Sequence, residues 1–297
     1  MPRLIARQNP KTFKTLPLQV EASPERLTYR ALGQPLNFQE MLQRRHPVAI
    51  ADEHQLSVQL ANLGVSVRIT LSWQGRDHWL LVRQHRADRG DTVLKLISGY
   101  VPAHELNLPL LTAVQEVAEE CLIETSSGWL QGRFIDTWLP TPYENTLAYR
   151  DKGHFCLTPR TGAARPVHCG SMALLERPRA YVHTPTASLQ LVYDMQMTLP
   201  KDVSALSLFH VDEKIEKDQL VARLSRSRPD LYLLEVENGR PTGELFNLLE
   251  GQRRPVNTRG LWLSESFAQQ HGWLVHEERI RWAEWLARLH ASSLAAS

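Results

Sequence analysis

The chain has 297 residues, 42% of them hydrophobic and 22% charged, the balance of an ordinary globular protein with ample material for a buried core. A formal charge of +2 is too mild to mark a nucleic-acid or membrane-surface binder, and no apolar run approaches the roughly 20 residues needed to cross a bilayer. Cys121, Cys156 and Cys169 form no CxxC pair, and so odd and sparse a set argues against a disulfide framework or a thiolate zinc site.

The basic start MPRLIARQNPKTFK has no apolar signal-peptide centre. With Glu21 the first acidic residue it is compatible with a transit peptide, but Pro2 and Pro10 interrupt any helix, and a cytoplasmic protein is the expectation. Residues 1–54 read as an extension with several prolines and a short helix around Phe38–Arg44. From Val65, VSVRITLSW alternates apolar and polar residues, QGRD reads as a turn, and HWLLVRQHR follows, which together predict a β-hairpin. TVLKLIS is a further strand leading to Gly99. Pro109 suits the first turn of a helix, where a missing N–H costs nothing. The run after it sets Leu110, Val114, Val117 and Cys121 on one stripe, predicting an amphipathic helix over about Leu110–Leu122.

Beyond it, WLQGRFIDTWL reads as strand, PTPYEN as loop and GHFCLT as strand. SLQLVYDMQMTLP places Leu189, Leu191, Tyr193, Met195, Met197 and Leu199 on one face with a period of two. DEKIEKDQLVARLSR and TGELFNLLEG read as helical. The terminal EERIRWAEWLARLH reads as an amphipathic helix with Ile280, Ala283 and Leu286 inward, Trp282 being a further candidate. Strands and helices mix without regular βαβ alternation, which favours an α+β fold or an α/β/α sandwich. The division expected is an extension over 1–54, a domain over 55–205, and a segment over 206–297 that could complete that domain.

The helix near residue 110 carries Glu116, Glu119 and Glu120, three and four positions apart and therefore on one side. A solvated acidic face explains that spacing, and so does a hard cation such as Mg²⁺ or Mn²⁺ held by carboxylates. The order Gly99 then QEVAEE, preceded by LLVRQHR and LKLISG and followed by WLPTPYEN, resembles the Nudix box and its surroundings, closest to the ADP-ribose pyrophosphatase branch. The resemblance covers about Val65–Asn145.

It implies a Nudix-type α/β/α sandwich with a mixed sheet, and hydrolysis of the diphosphate of a nucleoside diphosphate derivative with Mg²⁺ or Mn²⁺. Glu116, Glu119 and Glu120 would be metal ligands, with Glu119, Glu120 and Glu144 catalytic. Arg83, Arg86, Gly99 and Trp138 would contact substrate, and a homodimer is compatible with such a domain. The pattern also departs from the family's. Gln115 stands at the arginine of the box, Leu122 at its helix-ending glycine, and the loop after Gly99 is two residues longer. The loop glutamate maps to Glu105 by distance from Gly99, or to Asn107 by distance from the helix. These departures keep a second reading open: a catalytically weak module that binds a nucleotide or a protein.

Overall fold

Two glycine-containing turns set much of the strand register. Gln74 and Gly75 both take positive φ, 51° and 75°, as a two-residue type I′ turn demands. They join strand Asn62–Trp73 to strand Arg76–Arg86, with Trp73 opposite Arg76. Asn238 and Gly239, at 52° and 76°, do the same between strands Leu231–Glu237 and Arg240–Leu249. The computed structural model describes residues 3–5, 13–86, 91–160, 162–203, 205–211, 213–216, 219–268 and 272–294.

The fold is mostly β, built on mixed sheets with few helices. The described helices are α1 (Phe38–Gln43), α2 (Pro109–Glu120), α3 (Glu265–Ala268) and α4 (Trp282–Leu294). A sheet of 17 strands dominates. At its centre strand Ser188–Thr198 runs parallel to Asn62–Trp73, in register from Ser188 opposite Asn62 to Met197 opposite Leu71. Strand Ile97–Tyr100 lies antiparallel to Asn62–Trp73, with Gly99 opposite Val65. Strands from beyond residue 206 enter the same sheet: Ser207–His210 pairs with Cys121–Thr125, and Leu231–Glu237 with Arg76–Arg86.

Because side chains alternate across a strand, the central pair divides its residues between two cores. Leu63, Val65, Val67, Ile69 and Leu71 join Leu189, Leu191, Tyr193, Met195 and Met197 in the principal core. Helix α2 covers part of this face, and so does a five-stranded sheet that contributes Leu18, Val20, Leu27 and Tyr29. The opposite face carries a second core of Leu81, Tyr181, Val192, Phe267, Trp282 and Trp285.

The hairpin, the helix near Phe38, the strand from Ser188 and the apolar stripe of α2 fall where the sequence places them. Three helical expectations do not. DEKIEKDQLVARLSR contains strands Glu213–Glu216 and Gln219–Arg223, the latter paired with Arg3–Ile5. All but the last two residues of TGELFNLLEG lie in strand Arg240–Leu249, which buries Leu245 in one core and Phe246 and Leu248 in the other. A strand buried on both faces loses its period-two signature, and helix-forming residues then mislead. In the terminal segment the helix begins at Trp282. Ile280 belongs to strand Arg279–Arg281, Trp282 and Trp285 point inward, and Ala283 is exposed. Leu122 belongs to a strand and not to α2.

Candidate functional site

Helix α2 begins with Pro109 in its first turn and ends without a left-handed residue. Cys121 leaves the helix at φ −110°, ψ 99°, and Leu122 goes straight into strand pairing with Phe209. This is why a leucine serves at the position of a helix-ending glycine: no positive φ is needed, and the side chain fills a third core with Trp129, Tyr143 and Phe209. The loop before the helix turns Glu105 inward, where Oε2 accepts a hydrogen bond from Thr112 Oγ1 at 2.6 Å. Glu105 therefore ties the loop to the first turn of α2, and Asn107 is exposed.

Glu116 lies over Gly99. A Cβ built on Gly99 would stand 1.7 Å from Glu116 Oε1 and 2.1 Å from its Cδ, so only glycine lets the carboxylate settle on the strand. One turn later Glu120 enters a largely enclosed site, with 16% of its side chain exposed. Its carboxylate accepts the Ser98 backbone N–H. Oε2 is otherwise buried without a hydrogen-bond partner, and lies 3.5 Å from His210 Nε2. Lys95, only 9% exposed, donates from Nζ to Ser98 Oγ at 3.0 Å, so Ser98 bridges ammonium and carboxylate. Burial pushes the Glu120 carboxyl up, but Lys95, His210 and the Ser98 N–H together hold it below the usual glutamate value.

The other expected residues scatter. Glu119 is half-buried, and its backbone carbonyl accepts the Tyr143 hydroxyl at 3.2 Å, which pins loop 140–147 to the end of α2. Glu144 is exposed in that loop and accepts a hydrogen bond from Thr141 Oγ1 at 2.9 Å. Trp138 is 54% exposed, edge-on to His154 at 5.1 Å, with the Arg133 guanidinium 5.2 Å from its ring. Arg83 sits 3.8 Å from Asp230. Alternation puts it on the side of Leu81, the face away from α2. The side chain of Arg86 lies outside the described residues.

The α2 carboxylates do not form a cation cage. Among the described residues no three His, Cys, Asp or Glu side chains converge as metal ligands. Glu116 is laid on Gly99, while Glu120 is turned toward an ammonium and an imidazole. A divalent ion beside Glu120 would face the positive charge of Lys95, so these donors as arranged do not fit Mg²⁺ or Mn²⁺. Sequence reasoning misses Lys95 and His210 as members of this site. Lys95 had a signal, a lone cation in the apolar run TVLKLIS. His210 had none, because its place follows from long-range pairing of Ser207–His210 with Cys121–Thr125.

None of the described helices is long and apolar enough to cross a membrane. No protein-family model matches the chain, and no curated protein matches it. Among solved structures it is similar to a MutT/nudix family protein from Enterococcus faecalis, with 10% identity and a TM-score of 0.23. That match covers 79% of this chain and spans 62% of the other protein's length. A similarity at this level carries no argument about fold or activity.

Proposed function

We propose that the chain is a Nudix-like binding module that holds a phosphate-bearing nucleotide and does not hydrolyse it through a metal. The observation that carries this reading is the cation already beside Glu120, the Lys95 ammonium joined to it through Ser98. A carboxylate answered by an internal ammonium and an imidazole has less to gain from a divalent ion, and displacing Lys95 would leave an uncompensated charge in a buried place. The likeness to the family rests on the order of residues from LLVRQHR to WLPTPYEN, with α2 packed over the strand that bears Gly99.

The test is to measure binding and turnover together. Equilibrium binding of a nucleoside diphosphate derivative such as ADP-ribose should saturate without divalent metal. Phosphate-bond cleavage should stay at background with Mg²⁺ or Mn²⁺ present. Turnover that needs metal and is lost in Glu116→Gln and Glu120→Gln would overturn the proposal in favour of hydrolysis. One observation favours that second reading: the glycine-dependent seat of Glu116, one helical turn from Glu120, keeps two of the family's carboxylates on the same side of α2.

A further inference from the structure

On the sheet face away from α2, two arginines share one carboxylate and a third lies beside Thr70 of the same face. Arg68 and Asp194 lie opposite each other on the central parallel strands. They alternate with Val67, Ile69, Tyr193 and Met195 of the principal core, so they point the other way. Arg68 grips Asp194 with two bonds, Nε to Oδ1 at 2.6 Å and Nη2 to Oδ2 at 2.9 Å, and its guanidinium stacks 4.6 Å from the Trp79 ring.

Arg179, on the neighbouring strand Arg179–His183, brings Nε to 3.7 Å from Asp194 Oδ2. That Nε is buried and makes no hydrogen bond. Arg160 completes the group. Its backbone N–H donates to the Asp194 carbonyl at 2.8 Å, and its exposed guanidinium donates from Nη1 to Thr70 Oγ1 at 3.0 Å.

Asp194 pairs with both Arg68 and Arg179, whereas Arg160 meets no carboxylate among the described residues. Two guanidiniums thus share one carboxylate, which has only 14% of its side chain exposed, and a third stands at Thr70. Asp77, further along this face, accepts a hydrogen bond from Ser72 Oγ at 2.5 Å, and Glu265 acts on Tyr181 from the same side as Arg179. Burial and then the nearby Arg68 charge push the Arg179 guanidinium below its usual value, against the pull of Asp194. A phosphate near neutral pH brings about two negative charges and several acceptor oxygens. Guanidinium forks match those oxygens, and Thr70, while accepting from Arg160, still has its hydroxyl proton to donate.

We infer that Arg160, Arg179 and Arg68, with the Thr70 hydroxyl, form a binding site for a phosphate-type oxyanion on the face of the main sheet away from α2. The site does not depend on what α2 does. Its occupant is free inorganic phosphate or the phosphate group of a larger molecule, the recognised chemistry being the same.

The test is calorimetric titration of the full chain with inorganic phosphate and with glycerol 3-phosphate, at low and matched ionic strength. Saturable binding is expected for wild type, weakened at least about tenfold in Arg160→Gln and in Arg179→Gln. Arg226→Gln, an exposed arginine paired elsewhere with Glu124, should bind as wild type does. Equal affinity for the two probes assigns the site to the free oxyanion, and tighter binding of the ester assigns it to a larger molecule. No saturable binding of either probe, or binding weakened less than tenfold by Arg160→Gln, overturns the inference. Because Arg160 is an exposed side chain, its variant decides the matter even if Arg179→Gln fails to fold.

Discussion

The two faces of the central strand pair handle charge in opposite ways. On the α2 face, Glu120 is enclosed and answered from within by Lys95, His210 and the Ser98 N–H. On the other face, Asp194 is enclosed and doubly answered by Arg68 and Arg179, with Arg160 beside Thr70. A carboxylate with its own cation gains little from an added metal, whereas a carboxylate among surplus cations leaves room for an added anion. Two clusters one sheet apart therefore differ in the sign of the ligand they can accept.

The comparison breaks most readily at Lys95. Replacing it in Lys95→Met leaves Glu120 enclosed without its ammonium, and should cost about 3 kcal/mol, the low end for breaking a buried pair. Urea unfolding of Lys95→Met and of Lys95→Met/Glu120→Gln measures this. Recovery of most of the loss in the double variant marks the two side chains as a unit, and additive losses would deny it.

Asp194→Asn should cost less, about 2 kcal/mol, as expected for weakening charge-assisted hydrogen bonds. It also sharpens the contrast. With the carboxylate neutralised, the Arg68 and Arg179 guanidiniums repel unrelieved, and added phosphate should restore thermal stability in the variant more than in wild type. An equal shift in both proteins would remove the link between surplus charge and anion binding.

Smaller still is Gly99→Ala, at about 1 kcal/mol, within the lower range for inserting a methyl group into packed structure. The new Cβ collides with the Glu116 carboxylate, the movable end of a side chain, so Glu116 swings away and most of the fold survives. The losses of Gly99→Ala and Glu116→Ala should not add in the double variant, because the second change removes the group the first one strikes. A loss in Gly99→Ala that persists undiminished beside Glu116→Ala would place the clash elsewhere.

The smallest expected effect is on acid stability. The Glu120 carboxyl lies below its ordinary value of 4.5 in the folded chain. Its stabilising contribution is therefore complete above that value, and drains away as pH falls from there through the lowered folded value. In Glu120→Gln the fall in urea midpoint below that point should be shallower than in wild type. An unchanged acid limb would contradict the electrostatic account of this site.

Much of this arrangement could be read locally. Gln74–Gly75 between alternating runs predicts the hairpin, and the stripe from Leu110 to Cys121 predicts which side of α2 is buried. The Asn238–Gly239 turn was equally legible, yet the helix formers of TGELFNLLEG outweighed it, because a strand buried on both faces shows no alternation. What stayed hidden needs sheet pairing. Nothing in the sequence near Arg68 announces Asp194, which is brought beside it by the parallel register of Asn62–Trp73 and Ser188–Thr198. His210 likewise reaches Glu120 only through the strand that pairs with Cys121–Thr125. Spacing on α2 reveals three glutamates on one side, but not that Ser98 brings an ammonium from a neighbouring strand close to one of them.

The central claim is that the cation for Glu120 belongs to the protein. Thermal unfolding of wild type and Glu120→Gln across a series of Mn²⁺ concentrations tests it, since an ion bound only by the folded state must raise the midpoint as its concentration rises. The account predicts no concentration-dependent rise in wild type beyond that seen in Glu120→Gln. A rise in wild type that is abolished by Glu120→Gln would show a metal bound by that carboxylate, and would contradict the account.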